Sequence, residues 1–126
     1  DGRRIAQLLA SELRGRERGP LGHLTVVDVH DVEGTPQGQY AFGVDLRGSD
    51  GGRIAEVFVH DDRARVEFRV SPEAAARVGR ESGLVTRPKA VQPPRTIVFV
   101  EDGVEVKRVL PVFRAVVEAV EGQDGN

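Results

Sequence analysis

Two histidines that are each followed by an aspartate offer the most specific chemistry in this sequence. His30-Asp31 and His60-Asp61 each fall at the end of a segment that we predict to be a strand. Imidazoles and carboxylates from neighbouring strand ends can bind a divalent metal ion, or form an acid–base pair for hydrolysis. Aspartate after a strand is more often a turn residue, however. The sequence leaves open whether these two corners meet.

Other catalytic arrangements find little support. No serine lies in a Gly-x-Ser-x-Gly elbow, and the absence of cysteine excludes disulfides, thiolate metal ligands and a thiol nucleophile. The glycine-rich segment 48–52 resembles a phosphate cradle, but it joins two predicted strands and contains Asp50, whose charge would repel an anion. We therefore predict no catalytic residue and no cofactor, and favour a protein that is not an enzyme.

The charges are distributed unevenly along the chain. Residues 28–62 contain eight acidic and two basic side chains, whereas residues 63–95 contain eight basic and three acidic ones; the whole chain has a net charge of −2. The basic segment could bind the phosphates of a nucleic acid or an acidic protein, including the acidic half of a second copy. The candidate binding residues are Arg77, Arg80, Arg87, Lys89 and Arg95.

Two observations weigh against the nucleic-acid reading of that segment. Its one aromatic side chain, Phe68, is expected in the core, so no ring is left there for stacking on bases. Exposed charges of opposite sign also commonly form ordinary surface ion pairs without any binding function.

The elements that must position these side chains indicate one α+β domain over residues 1–126. The chain has 21 valines, which favour sheet, and its 30% charged residues are normal for a globular protein. Short connectors predict that four strands form an antiparallel meander. A fifth strand at 96–100 is apolar on both faces and should be buried centrally, and 84–87 could form a further short strand. The four meander strands span residues 24–32, 40–46, 54–59 and 65–70.

Helical periodicity predicts three helices, the first capped by Asp1 and the second by Ser71. The third is ambiguous, since residues 103–110 could instead form the second strand of a hairpin; we favour a helix that Pro111 kinks. The tail at 122–126 should be flexible. The predicted helices cover residues 2–14, 72–82 and 103–121.

These elements give a two-layer sandwich in the order α-β-β-β-β-α-β-α, with about five strands in a mainly antiparallel sheet and about three helices. No apolar run reaches the roughly 18 residues that a membrane span needs, and the amino terminus lacks the apolar core of a secretory signal. We therefore expect a cytoplasmic protein that does not enter membranes.

Two strings carry a resemblance to a known group of proteins: Asp1-Gly2-Arg3-Arg4-Ile5-Ala6 and Arg87-Pro88-Lys89-Ala90-Val91-Gln92-Pro93-Pro94-Arg95. With them the chain resembles short uncharacterised proteins of haloarchaea. The resemblance implies a cytoplasmic archaeal domain of unknown function and carries over no catalytic residue.

Together these observations order the functional hypotheses. The first is a non-enzymatic interaction or regulatory module that binds a protein partner or forms a homodimer. The alternative is an electrostatic nucleic-acid-binding domain that uses the basic segment 63–95. A small metal-binding or hydrolytic site at the two His-Asp corners comes third.

Overall fold

Six strands form one antiparallel sheet in the computed structural model, which describes residues 1–48 and 52–124. The strands are β1 (Leu24–Val27), β2 (Gln39–Leu46), β3 (Arg53–Val59), β4 (Ala64–Phe68), β5 (Thr86–Lys89) and β6 (Arg95–Val100). The helices are α1 (Gly2–Arg14), α2 (Pro72–Glu81), α3 (Gly103–Arg108) and α4 (Leu110–Asp124), and a 3-10 turn covers Pro20–His23. The α+β class and the antiparallel sheet are as predicted.

The strand order is β1-β2-β3-β4-β6-β5, and all neighbours are antiparallel. The first four strands follow one another, which confirms the predicted meander. The optional short strand is also present, displaced to Thr86–Lys89, where it pairs with β6 as an edge strand. The prediction of about five strands was thus one short.

The helices pack on one face of the sheet. The alternate residues of the central strands that face them are fully buried, among them Val57 and Val66. Phe68 of β4 meets Phe113 of α4 edge to face, with ring centroids 4.9 Å apart. Because one face of a strand holds every second residue, the intervening side chains point away from the helices.

Two predicted strands differ from those in the structure. The first ends at Val27 and not at residue 32, because Asp28 adopts a left-handed conformation with φ of 51° that no strand can continue. The prediction that residues 96–100 are buried on both faces was wrong. Thr96, Val98 and Val100 are buried, whereas Ile97 and Phe99 alternate with them and are partly exposed.

The ambiguous region after β6 is helical and not a hairpin, but it forms two helices where one was predicted. Asp102 caps α3 by accepting a hydrogen bond from the amide of Glu105 at 2.9 Å. Helix α3 ends at Arg108, and α4 begins two residues later, next to Pro111, whose missing N–H is best tolerated in a first turn. Helix α4 then runs through the first residues of the predicted tail to Asp124.

The two predicted helix caps at Asp1 and Ser71 have different outcomes. The Asp1 carboxylate accepts a hydrogen bond from the amide of Arg4 at 2.7 Å, which confirms the cap. Ser71 precedes α2 as expected, but its side chain makes no capping bond, because its backbone is left-handed, with φ of 48°. None of the helices within residues 1–48 and 52–124 has the length and apolar character needed to cross a membrane.

Candidate binding surface on the uncovered sheet face

The sheet face opposite the helices is covered by none of the helices that the structure describes, and we call it the uncovered face. The loop at 34–38 reaches over one end of it, and His30, from the segment after β1, packs edge to face on Tyr40 with ring centroids 5.7 Å apart. There the Gln37 carbonyl accepts a hydrogen bond from Arg65 at 3.0 Å, and the Pro36 carbonyl lies 3.0 Å from Nδ1 of His60. The rest of this face is formed by side chains alone.

A row of planar side chains crosses four neighbouring strands of this face. Residues directly opposite each other in an antiparallel sheet share a face, and the register pairs Tyr40 with Phe58, Phe58 with Arg65, and Arg65 with Phe99. All four side chains are partly exposed. We call Tyr40, Phe58, Arg65 and Phe99 the planar row.

Guanidinium groups stack on the two phenylalanines of the planar row. The Arg65 guanidinium lies 4.3 Å from the centre of the Phe58 ring, and that of Arg63 lies 4.5 Å from the centre of the Phe99 ring. Tyr40 meets Phe58 edge to face at 5.9 Å. The row is therefore a continuous band of flat, polarisable groups.

Beside the planar row lies a charge network with two carboxylates at its centre. Glu56 and Glu67 are opposite each other on β3 and β4, and Arg95 Nη1 bonds to both, at 3.1 and 3.0 Å. Glu67 also accepts hydrogen bonds from Lys89 at 2.9 Å and from Arg65 at 2.9 Å. The Glu67 side chain is fully buried among these three cations, although none of the described helices lies above it.

The remaining cations of the network gather around Glu56. Arg53 Nη1 donates to Glu56 at 3.0 Å, and Arg69 lies 3.9 Å away. A bulge between the pairs Val44–Ala55 and Asp45–Arg53 leaves Ile54 unpaired and turns Arg53 onto the uncovered face. Arg53 there also donates to Asp45 at 2.8 Å.

The network shifts the ionisation of its buried member. Burial alone would raise the pKa of Glu67, because it removes the charged form from water. The hydrogen bond and charge of Lys89, with the charge of Arg65 and the hydrogen bond from Arg95, outweigh burial and hold the pKa of Glu67 below its usual range. Glu67 is therefore a carboxylate that folding keeps ionised.

The uncovered face is basic although the whole chain is not. Among the described residues it carries eight basic and four acidic side chains, a formal balance of +4, against −2 for the chain, so the rest of the molecule carries −6. The uneven charge along the sequence thus becomes a difference between two sides of the fold. The twelve residues are Arg47, Arg53, Arg63, Arg65, Arg69, Arg87, Lys89, Arg95, Asp28, Asp45, Glu56 and Glu67.

The five basic residues proposed from the sequence are divided between the two sides. Arg87, Lys89 and Arg95 lie on β5 and β6 at the uncovered face. Arg77 and Arg80 are exposed on α2, which packs against the opposite face; Arg77 lies 3.6 Å from Glu81 of the same helix. The sheet separates the two groups. A single flat ligand can therefore contact the three residues on the uncovered face or the two on α2, but not both groups together.

The His-Asp corners have separate partners in the described part of the chain. His30 Nε2 lies 3.0 Å from Asp28, and Asp31 pairs with Arg3 at 2.8 Å. Asp61 is exposed, and its backbone carbonyl accepts a hydrogen bond from Gly2. Within residues 1–48 and 52–124 no group of three or more histidine, aspartate or glutamate side chains could hold a metal ion.

His60 is buried and has both ring nitrogens engaged. Nδ1 faces the Pro36 carbonyl, which only accepts, and Nε2 lies 2.8 Å from Arg65 Nη1, which only donates. The proton therefore sits on Nδ1. A metal ion at Nε2 would have to displace Arg65. The contact between His60 and Arg65 instead helps to hold the planar row in place.

Sequence reasoning missed the aromatic members of the site. Phe99 lies in the segment 96–100, which we had interpreted as apolar on both faces, and Phe58 lies in the predicted strand 54–59. A usable signal was present, because each of these rings alternates with valines. That signal could not show that both rings share a face, because the sequence does not state that β4 separates β3 from β6.

The fold and surface define a class: an α+β domain with helices on one face of an antiparallel sheet and a basic, partly aromatic surface on the other. The chain belongs to the family of unknown function DUF7993, which matches residues 1–126. No curated protein and no solved structure matched it.

Proposed function

We propose that this domain is a non-enzymatic interaction module that binds its partner on the uncovered sheet face. The observation that carries the proposal is the planar row: three aromatic side chains and a stacked arginine remain partly exposed on a face that no described helix covers. Rings and arginines are the side chains that contribute most to binding at interfaces. The ion pair of Arg65 with Glu67, the guanidinium groups over the two phenylalanines and the contact of Tyr40 with Phe58 hold the row in place before a partner arrives, which lowers the entropic cost of binding.

The charge of this face argues for a partner of opposite charge. Two copies stacked through their uncovered faces would bring two surfaces of +4 together, which disfavours that form of homodimer. A copy could instead present its negatively charged helical side. Such a head-to-tail contact gives a ring or an open filament and not a two-fold dimer. We therefore favour an acidic partner that is a different molecule.

The cellular setting is part of the same proposal. The resemblance of residues 1–6 and 87–95 to haloarchaeal proteins supports an archaeal source, and the absence of cysteine agrees with a reducing cytoplasm. In that setting a binding module would meet acidic proteins and nucleic acids.

A capture experiment with matched variants tests the proposal. The immobilised protein is exposed to a lysate of the source organism, and bound protein and nucleic acid are both quantified. Ile97→Asp places a negative charge in the middle of the uncovered face, whereas Val104→Asp makes a similar change on α3, where Val104 is 62% exposed. Thermal melting verifies that both variants fold.

We expect the captured material to be lost with Ile97→Asp and kept with Val104→Asp. Material that survives Ile97→Asp, or that both variants lose equally, would show that binding takes place elsewhere on the molecule.

A further inference from the structure

We infer that the ligand of the uncovered face is a single-stranded nucleic acid laid across the strands. This inference rests on the proposed function, since it names the partner of the same surface. It does not depend on the basic segment as a linear stretch. It depends on the planar row and the charge network, which are brought together from five different strands.

The planar row has the chemistry to hold unpaired bases. Neighbouring strands are about 4.8 Å apart, so Tyr40, Phe58, Arg65 and Phe99 present a flat group every ~4.8 Å across four strands. Every base has a π face that stacks on aromatic rings, and guanidinium planes stack on bases in the same way. The arginines over Phe58 and Phe99 therefore extend the stacking surface and do not block it.

The cations lie where the phosphates of such a strand would run. Arg53 and Arg95 reach Glu56, which is two residues along β3 from Phe58, or about 7 Å. A nucleotide spans a similar distance from its base to its phosphate. Bases on the planar row thus place the backbone over the charge network, where the excess of four positive charges attracts it.

The two central glutamates do not oppose this arrangement. Glu67 is fully buried beneath three cations, so its charge is neutralised before any ligand arrives. Glu56 remains 18% exposed and Asp45 37% exposed. Glu56 is surrounded by Arg53, Arg69 and Arg95, and Asp45 pairs with Arg53, so cations offset both carboxylates where the phosphates would run.

The planar row favours a single strand over the other polyanions. An acidic protein could contact these rings, but it carries no regular series of flat groups to stack along the row. A duplex hides the faces of its bases within the stack and offers its groove edges and phosphates. A strand with unpaired bases has both a series of flat groups for the planar row and a series of negative charges for the charge network.

The test uses fluorescently labelled single-stranded RNA and DNA of mixed sequence, about 10 nucleotides long, within the range that one small domain covers. Anisotropy is measured at two salt concentrations, with a duplex of the same sequence and polyglutamate as competitors. Tyr40 is a second reporter, because the chain has no other tyrosine and no tryptophan. Stacking of a base near it should change its fluorescence.

We expect a single strand to bind, with an affinity that falls as salt rises. Phe58→Leu and Phe99→Leu keep apolar volume but remove the ring, and each should weaken binding roughly five- to 100-fold, the range expected for one base–aromatic stack. Replacing Arg77 and Arg80 by glutamine on α2 removes the same kind of charge from the other side of the sheet. That control should change the affinity less than about twofold.

Several outcomes would overturn the inference. They are the absence of binding by both single strands at low salt, equal binding by the leucine variants, and stronger binding of the duplex or polyglutamate. If face-dependent capture persists in those cases, the proposed function stands and its ligand is another polyanion. If Ile97→Asp also leaves capture unchanged, both the proposed function and the inference about its ligand are rejected.

Discussion

Lys89 donates two hydrogen bonds to the Glu67 carboxylate, at 2.9 and 3.1 Å, across 22 positions of sequence. The contact joins the edge strand β5 to β4 over the strand between them. The sequence suggested Lys89 as a charge available to bind a ligand. In the structure Lys89 is instead part of the network that stabilises the buried carboxylate of Glu67. The uncovered face is consequently built around Glu67, and its stability should depend on that residue.

Replacing Glu67 by glutamine should destabilise the fold strongly. The change removes the shared partner of Arg65, Lys89 and Arg95 and leaves three like charges together. Breaking a buried ion pair costs about 3–5 kcal/mol, and we expect the lower end because Lys89 and Arg95 can turn toward water. The free energy of unfolding from urea titration measures the loss.

A matched control for that variant is Glu118→Gln, the same change at an exposed position of α4. It should alter the free energy of unfolding by less than about 0.5 kcal/mol. Similar losses in the two variants would mean that the network adds little to stability.

Acid should unfold the protein partly through Glu67. Because folding lowers the pKa of this carboxyl, the folded state holds its proton less readily than the unfolded state, and the stabilisation is complete above the ordinary pKa of 4.5. It is lost progressively as the pH falls below that value. Urea titrations from pH 7 to about pH 3 should show a steeper decline for the wild type than for Glu67→Gln; parallel curves would contradict this assignment.

Tyr40 should ionise only above the usual range for tyrosine. Burial raises the pKa of its hydroxyl, and interaction with the Asp28 carboxylate raises it further; the same interaction, followed by that with His30, lowers the pKa of Asp28. Among the described residues, the Tyr40 hydroxyl has no hydrogen-bond partner at good geometry. The interaction with Asp28 is therefore the weaker of the two causes that raise the pKa of Tyr40.

Ultraviolet absorbance of tyrosinate follows this titration directly, since the chain has one tyrosine. Asp28→Asn should lower the pKa of Tyr40 but leave it above the ordinary value of 10.0, because burial remains. A return to 10.0 in the variant would make Asp28 the main cause.

Gly38→Ala should disturb the end of the uncovered face. Gly38 has φ of +91°, and a methyl group there would lie 2.6 Å from Arg65 Nη1 and 2.8 Å from His60 Nε2. Gly83 has a similar φ of +76°, but its added methyl would meet open space among the described residues. Both variants should lose about 1–2 kcal/mol from backbone strain, and Gly38→Ala should lose more because of the clash. Equal losses in thermal melting would argue against close packing of Arg65 and His60.

The caps of α3 and α2 should respond differently to alanine. Asp102→Ala removes a capping hydrogen bond and should cost about 1 kcal/mol, whereas Ser71→Ala removes none and should be nearly neutral. Chemical denaturation of the two variants compares them directly. A larger loss at Ser71 would show that its hydroxyl caps α2 after all.

Local sequence was sufficient for most of the elements. Periodicity located α1, α2 and three of the four meander strands within about two residues, because a helix or strand face repeats along a single segment; the first strand was predicted five residues too long. The break between α3 and α4 and the left-handed Asp28 were harder to foresee. Both depend on how the flanking segments pack. The favoured prediction for residues 103–121 was correct that the segment is helical, but wrong that it forms one continuous helix.

The sequence by itself determined the α+β class, the meander and the basic segment, since each follows from the order of residues along the chain. Only the tertiary structure decided which side chains share a surface. Phe58, Arg65 and Phe99 lie on three strands that are neighbours in the order β3-β4-β6. In the sequence α2 and β5 separate Phe99 from the other two, and register alone aligns the three side chains. Lys89 meets Glu67 for the same reason. Strand pairing is set by burial of the opposite face, and that long-range packing is the information that a single sequence does not display.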